Sequence, residues 1–288
     1  MKALKARPYL MIAPAMAVFA VFALYPIVYM LYLSFFKWNM LGPKIFIGLK
    51  NYADLFSSKE FGKVFSNSIY YMALSVALSI AISLAVALFL RKKTALNGFL
   101  QASIFAPYII SLVSVSLVWL WFMDFDYGLL NFILGLFGIK PVDWLSDSHV
   151  ALTSLVIVSV WKGLGFNTLI LASALQAIPE YLYEAAELDK AKPFSVFRSI
   201  TLPMISPTLF FLALTNMIAS LKAFETVALM TQGGPSNSTN TFVYYIYQNG
   251  FQFFKIGYAS AAGVVMMLFI GAFTIAYFVG LDRRVHYR

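Results

Sequence analysis

The sequence contains no cysteine and little charge. Without cysteine, disulfides and thiolate chemistry are excluded. Because the chain has no cysteine and only two histidines, a zinc or iron–sulfur site is not expected either. Charged residues make up 11% of the 288 residues, whereas ordinary soluble domains carry about 25%. A soluble protein of this length needs much more polar surface, so the composition argues against that class.

Motifs of catalysis and nucleotide binding are missing as well. The sequence has no G-x-x-x-x-G-K-[ST] phosphate loop, no G-x-S-x-G and no H-E-x-x-H. We therefore expect no catalytic residue, no metal and no cofactor on this chain. The formal charge of +9 would suggest nucleic acid in a soluble protein, but in an apolar chain we expect cations to flank membrane segments. No nucleic-acid partner is expected.

Long apolar runs dominate a chain that is 61% apolar. A membrane-spanning helix needs about 20 apolar residues, and a backbone exposed to lipid must satisfy its hydrogen bonds internally. The runs do not alternate as β-barrel strands do. The sequence thus predicts an all-α integral membrane protein, with one transmembrane domain over 1–288 and six transmembrane helices. The predicted spans are 10–36, 68–90, 103–123, 150–176, 207–230 and 258–281.

Lysine and arginine predict the orientation of these spans, because cytoplasmic loops are enriched in both. Six spans place four basic clusters on one side. The lysines of the first loop disagree, but they lie farther from the spans than the clusters do. We therefore expect both termini in the cytoplasm. The clusters are Lys2, Lys5 and Arg7; Arg91, Lys92 and Lys93; Lys190, Lys192 and Arg198; and Arg283, Arg284 and Arg288.

A short helix is predicted in the cytoplasmic loop 177–206. Pro179 suits a first helical turn and Pro193 stops a helix. Glu184 lies early and Lys190 late, as the helix dipole favours. The expected length is about 12–14 residues, too short to span a membrane.

One face of this helix carries Tyr181, Ala185 and Leu188. With Ala186 beside it, the surface is smooth enough for another protein to approach closely. The residues alone leave three readings open: a docking surface, a helix lying among lipid headgroups, or a solvated connector.

Polar residues in the fourth predicted span are expensive to insert and often functional. Lys162 lies near the middle of the membrane, with Gly163, Gly165 and Asn167 around it. Either these residues line a solute path, or Lys162 snorkels or pairs within the bundle while the glycines permit close packing.

The fifth predicted span carries Asn216 and Ser220 on one face, with Phe224 nearby. Amide, hydroxyl and aromatic groups together suit a sugar, although hydrogen bonds between helices explain Asn and Ser equally well. Lys222 and Glu225 are expected to pair with each other.

The sequence of the loop 177–206 resembles the EAA loop of binding-protein-dependent ABC importer permeases. That pattern is EAA, three residues, Gly, nine residues and I-x-LP. Here Glu184-Ala185-Ala186 is followed at the same spacing by Lys190 and by Ile200-x-Leu202-Pro203. Lysine replaces the glycine, so we expect the turn after the helix to differ from the family's.

Four further stretches resemble the carbohydrate-uptake branch of this family, which includes sugar and glycerol-3-phosphate permeases. They are GLKNYADLF (48–56), APYIISLVSVSLVW (106–119), ALQAIPEYLYEAAELD (174–189) and TQGGPSNSTNT (231–241).

The resemblance implies a helix that couples the permease to a cytoplasmic ATPase. It implies two ATPase subunits that carry ATP and Mg²⁺, a second homologous permease in a heterodimer, an external solute-binding protein that contacts the TQGGP loop, and a prokaryotic inner membrane. The implied coupling residues are Tyr181, Glu184, Ala185, Ala186, Leu188, Asp189, Lys190, Ala191 and Pro203.

For the solute, the resemblance implies a sugar, with an oligosaccharide expected, that passes by alternating access. It favours Gly165, Asn167, Asn216, Ser220 and Phe224 as path residues. A permease for glycerol phosphate stays open as an alternative. An ion-coupled secondary transporter would need coupling residues and inverted repeats, and a membrane enzyme would need a catalytic motif.

Overall fold

The backbone is helical through most of the part of the chain that the structure describes. A computed structural model describes residues 2–92 and 94–281, with side chains over 9–92 and 94–280. Part of the orientation prediction lies outside the described residues: Lys93, Arg283, Arg284, Arg288, and the side chains of Lys2, Lys5 and Arg7.

The elements follow one another in chain order. The helices are α1 (Lys2–Phe19), α2 (Tyr25–Leu33), α3 (Lys50–Ser57), α4 (Lys59–Phe89), α5 (Ala95–Ile109), α6 (Leu112–Phe122), α7 (Leu129–Leu136), α8 (Ala151–Gln176), α9 (Tyr181–Leu188), α10 (Pro193–Val196), α11 (Leu202–Met204), α12 (Ser206–Leu221), α13 (Phe242–Tyr247) and α14 (Ile256–Leu281). Short π-helical segments cover Ala20–Leu24, Phe197–Thr201, Val227–Thr231 and Gln248–Gln252. Strands β1 (Phe36–Lys37) and β2 (Ile45–Phe46) form an antiparallel hairpin.

Four described helices are long and apolar enough to cross a membrane unaided, and two bent pairs raise the possible number to six. The four are Tyr9–Leu33, Lys59–Phe89, Ala151–Gln176 and Ile256–Gly280. The predicted all-α, membrane-spanning class is confirmed.

The third and fifth predicted spans are not straight helices, which corrects the sequence prediction. The run 103–123 consists of α5 and α6, which meet at an angle of 99°. The run 207–230 begins in α12, which ends at Leu221, and continues as a turn and a π-helical segment. Before α12, the segment Pro193–Met204 bends away by 67°. Pro107 lies inside α5, close to the first break.

The chain divides into two compact units. In the unit formed by residues 2–61 and 245–269, the start of α14 lies very close to its neighbours. A Cβ on Gly257 would lie 1.7 Å from the carbonyl oxygen of Phe36, and one on Gly263 would lie 2.8 Å from Sδ of Met30. Only glycine permits the approach at Gly257, where the neighbour is a backbone atom, whereas the flexible side chain of Met30 can shift away from position 263.

The hairpin of the same unit is attached to the end of α2 through Lys44. Its Nζ donates to Oη of Tyr29 at 2.8 Å and lies 4.7 Å from the ring centre of Trp38 and 5.7 Å from that of Tyr32. The hydrogen bond with Tyr29 raises the pKa of Lys44.

In the other unit, residues 62–244 and 270–281, α8 packs tightly on α5. A Cβ on Gly165 would lie 2.2 Å from the carbonyl oxygen of Ile104. Toward the end of α8, Leu171 and Leu175 form a buried cluster with Ile205 and Leu212. This packing places α8 between α5 and α12.

Candidate functional site

A cavity of about 300 Å³ lies among α4, α5, α8 and α12. Its wall carries hydroxyl, amide, aromatic and charged side chains. Four of the predicted path residues line it together: Lys162, Asn167, Asn216 and Ser220. Their role in transport stays a prediction, but the structure brings them to one place.

Two asparagines bridge α8 and α12 in this wall. Nδ2 of Asn167 donates to Oδ1 of Asn216 at 3.2 Å, and Nδ2 of Asn216 donates back to Oδ1 of Asn167 at 3.1 Å. Asn216 also donates to the carbonyl of Leu212 at 2.7 Å. Since an amide nitrogen has two hydrogens, Asn216 has used both and Asn167 keeps one. The pair therefore joins α8 to α12 and leaves one amide hydrogen of Asn167 without a partner among the described residues.

Lys162 is held at the break between α5 and α6. Its Nζ donates to the carbonyl oxygens of Pro107 at 3.0 Å, Tyr108 at 2.7 Å and Ile110 at 2.6 Å. An ammonium group has three hydrogens. All three are engaged, so none remains for a solute in this conformation.

Two aromatic rings in the wall were missed by sequence reasoning. Tyr108 and Phe166 both line the cavity and stack with ring centres 4.9 Å apart at an interplanar angle of 15°. Phe166 lies one turn after Lys162 on α8, so helical spacing could have pointed to it. In apolar spans rich in phenylalanine and tyrosine, a ring is otherwise inconspicuous.

Hydroxyl groups of α4 also line the cavity and were missed. Tyr71 forms a hydrogen bond with Ser159 across to α8. Ser75 and Ser79 follow at helical spacing, and the buried Oγ of Ser75 has no hydrogen-bond partner in the part of the chain that the structure describes. Serine every fourth residue in an apolar helix was the available signal.

Gly165 and Phe224 lie outside the cavity wall. Gly165 faces the backbone of α5, and the ring of Phe224 lies against that of Tyr244, with ring centres 6.3 Å apart. Their predicted contact with solute stays a prediction. In this conformation, Gly165 instead permits the packing of α5 on α8.

The expected pairing of Lys222 with Glu225 is wrong. Both side chains line the cavity, but no ion pair joins them among the described residues. The reason is local: α12 ends at Leu221, so the helical spacing on which the pairing depended does not hold there.

The predicted coupling helix is α9, which has eight residues rather than 12–14. It begins two residues after Pro179 and its last turn closes before Lys190. The backbone N–H of Ala191 donates to the carbonyl of Ala186 and that of Lys190 to Glu187, both at 2.9 Å. This pair of bonds is a Schellman motif.

Lys190 has φ of +50°, in the left-handed region that glycine favours. The expected change in the turn is therefore wrong: lysine adopts the conformation that the glycine of the EAA pattern would permit. For a residue with a side chain this costs about 1–2 kcal/mol.

The face of α9 that points away from the rest of the chain is mostly apolar and exposed. Tyr181 is 65% exposed and Leu188 is 85% exposed, and Ala185 and Glu184 are exposed beside them. The opposite face is buried at Ala186.

A second cavity of about 300 Å³ lies behind α9. There the guanidinium of Arg91 lies 5.5 Å from the ring centre of Tyr183, whose hydroxyl bonds Oγ1 of Thr201 at 3.1 Å. These contacts attach α9, through Tyr183, to Arg91 just after α4. The predicted coupling residues Ala186 and Ala191 line the same cavity. Asp189 ends α9 and Pro203 lies in α11.

The loop 231–241 is attached to α4. Nδ2 of Asn67 donates to the carbonyls of Asn237 at 2.8 Å and Asn240 at 3.0 Å, and Lys63 donates to that of Ser236 at 2.7 Å. Residues 238–241 are buried. Gln232 and Ser236 are exposed, so the accessible surface of the loop is limited.

The chain is similar in sequence to known transport proteins. Residues 77–287 match the family model described as binding-protein-dependent transport system inner membrane component. The chain is 34% identical to the trehalose/maltose transport system permease protein MalF of Thermococcus litoralis, over 96% of this chain and 94% of that one. It is 30% identical to the sn-glycerol-3-phosphate transport system permease protein UgpA of Agrobacterium fabrum, over 98% and 97%.

Among solved structures, one chain of a bacterial alginate ABC transporter in complex with alginate pentasaccharide-bound periplasmic protein is similar in fold. The TM-score is 0.83 at 24% identity, and the match covers 96% of this chain and 93% of that one.

Proposed function

The chain belongs to the family of binding-protein-dependent transport system inner membrane components, and we propose that it provides half of the path by which an ATP-driven importer moves a sugar. The side chains that line the cavity are the observation that supports this proposal. A sugar needs hydrogen-bond donors and acceptors around its ring and an apolar surface against its face. Asn167, Asn216 and Ser75 supply the first, and the stacked rings of Tyr108 and Phe166 supply the second.

A neutral sugar fits this wall better than glycerol phosphate. A phosphate favours lysine or arginine in the path, and two lysines line the cavity. The ammonium of Lys162 is fully engaged by backbone carbonyls, and Lys222 lines the cavity together with the carboxylate of Glu225. Glycerol phosphate is the second candidate because the relative from Agrobacterium fabrum carries that name.

The exposed face of α9 supports docking to a cytoplasmic ATPase. We assign ATP and Mg²⁺ to two partner ATPase subunits, since this sequence has no phosphate loop. One chain offers one such helix, so a second permease, homologous to this one, would occupy the other ATPase. The six spans and two cytoplasmic termini, in a prokaryotic inner membrane, belong to this proposal, with α5–α6 and Pro193–Leu221 as broken spans.

The transport cycle would be one of alternating access. An external solute-binding protein, loaded with sugar, would favour the outward-open state through its higher affinity for that state. The exposed residues Gln232 and Ser236 on the loop 231–241 are the surface that we assign to this contact.

The test is uptake by the reconstituted complex. The chain is incorporated into liposomes with its partner permease, ATPases and binding protein, and uptake of maltose, trehalose and glycerol-3-phosphate is compared. We expect ATP-dependent uptake of a sugar and no uptake when the ATPases are omitted. Uptake driven by an ion gradient without ATP would instead indicate a secondary transporter, and uptake of glycerol-3-phosphate alone would favour the second candidate.

A further inference from the structure

The end of α5 forms a cluster of carbonyl oxygens that resembles a cation site. The last carbonyls of a helix have no intrahelical partner, and the helix dipole makes this end negative. Here the chain bends by 99° after Ile109, and the carbonyls of Pro107, Tyr108 and Ile110 converge on one point. Broken membrane helices coordinate monovalent cations with groups of this kind.

The cation in this site is the ammonium group of Lys162, a residue of the same chain. The ammonium of Lys162, from α8, lies 2.6–3.0 Å from all three oxygens and 5.4 Å from the ring centre of Tyr108. Its contacts are thus three charge-assisted hydrogen bonds and a cation–π interaction. A snorkelling lysine would leave its ammonium in water, whereas this one is saturated by backbone groups of another helix.

We propose that Lys162 is a positioning residue whose ammonium acts as a tethered cation, locking the break between α5 and α6 and setting the ring of Tyr108 against Phe166. The site itself is a three-carbonyl site for a small ammonium ion. Its consequence for solute binding rests on the proposed function, because Tyr108 and Phe166 line the cavity. The geometry of the break between α5 and α6 does not depend on the proposed function.

The first test asks whether a free ammonium ion replaces the side chain. The purified full-length Lys162→Ala chain in lipid nanodiscs is heated with ethylammonium chloride or with tetramethylammonium chloride at equal concentration. Lys162→Ala should lower the unfolding midpoint by several degrees. Ethylammonium should recover at least half of the loss, and tetramethylammonium, which has no N–H donor, should recover none.

The matched control is Lys222→Ala, because Lys222 lines the same cavity but has an exposed side chain. It should neither lower the midpoint nor respond to ethylammonium. An equal response of both variants to both salts would overturn the proposal, because it would reflect ionic strength and not occupation of the carbonyl site.

The second test measures the bend. The chain has no native cysteine, so spin labels can be placed by Phe99→Cys on α5 and Val118→Cys on α6, both exposed positions. The distance distribution should be narrow with Lys162, broad in Lys162→Ala and narrower again with ethylammonium. An unchanged distribution in Lys162→Ala would contradict the locking role.

Should Lys162→Ala fail to accumulate, Lys162→Gln provides the comparison, since its amide still donates two hydrogens. We expect an intermediate distance distribution, and one identical to that of the unaltered chain would contradict the proposal. Neither test needs sugar or ATPase. A complex that takes up no sugar while its isolated permease still responds to ethylammonium would refute the proposed function and leave this inference standing.

Discussion

Asn167 on α8 and Asn216 on α12 exchange two amide hydrogen bonds across the cavity wall, at 3.2 and 3.1 Å. Asn167 is 1% exposed. A buried amide that loses its partner keeps the full cost of its desolvation. The two side chains should therefore act as one unit, for stability and for the shape of the cavity.

Asn216→Ala should lower the free energy of unfolding by about 1–3 kcal/mol, because it leaves the amide of Asn167 unpaired. Thermal unfolding of Asn167→Ala, Asn216→Ala and the double variant, in detergent, measures this. The double variant should lose less than the sum of the single losses. Strict additivity would mean that the two amides do not interact.

Sequence reasoning selected Lys162, Asn167, Asn216 and Ser220 of this wall, but it missed the two aromatic rings and the serines of α4. Asn167 and Asn216 are polar residues in long apolar runs, and their cost in a membrane singles them out. Tyr108 and Phe166 carry no such cost. Tyr108 becomes recognisable only when the break after α5 brings its ring against that of Phe166. Within the run 103–123, Pro107 was the available signal for that break.

Gly165→Ala should disrupt the packing of α5 on α8. The added Cβ would lie 2.2 Å from the carbonyl oxygen of Ile104, a backbone atom that cannot move aside alone. We expect a loss of about 1–3 kcal/mol and a lower yield of folded protein. Gly163→Ala is the matched control, since its nearest neighbour would be Nδ2 of Asn167 at 3.7 Å. Equal midpoints for the two variants in thermal unfolding would contradict the assignment of Gly165 to packing.

Lys190→Gly should stabilise the chain by about 1 kcal/mol, because glycine adopts a φ of +50° without a steric penalty. The measurement is the unfolding midpoint of the purified chain. Lys192→Gly provides the contrast, since Lys192 has φ of −65° and gains nothing from glycine. A lower midpoint for Lys190→Gly would show that the side chain of Lys190 contributes more than its backbone conformation costs.

The conformation of Lys190 marks a limit of motif reasoning. A helix was expected between Pro179 and Pro193, and α9 lies there, but the replacement of glycine by lysine in the EAA pattern suggested a different turn. The two Schellman hydrogen bonds through Ala191 and Lys190 outweigh the conformational cost, so the turn keeps its geometry. The length of α9 was overestimated for a related reason: the turn begins before the proline that was expected to end the helix.

Glu184→Lys and Ala185→Asp should uncouple the permease from its ATPase without unfolding it. Both residues are exposed on α9, next to the uncovered side chains of Tyr181 and Leu188. A new charge on this face should weaken docking, since an unpaired charge in an interface is costly. We expect sugar-stimulated ATP hydrolysis of the reconstituted complex to fall at least tenfold, with the unfolding midpoint of the permease unchanged. Lys192→Glu, a charge reversal in the same loop but outside α9, should keep most of the activity. Full activity in both α9 variants would exclude this face as the docking surface, and a similar loss in Lys192→Glu would point to the charge of the whole loop instead.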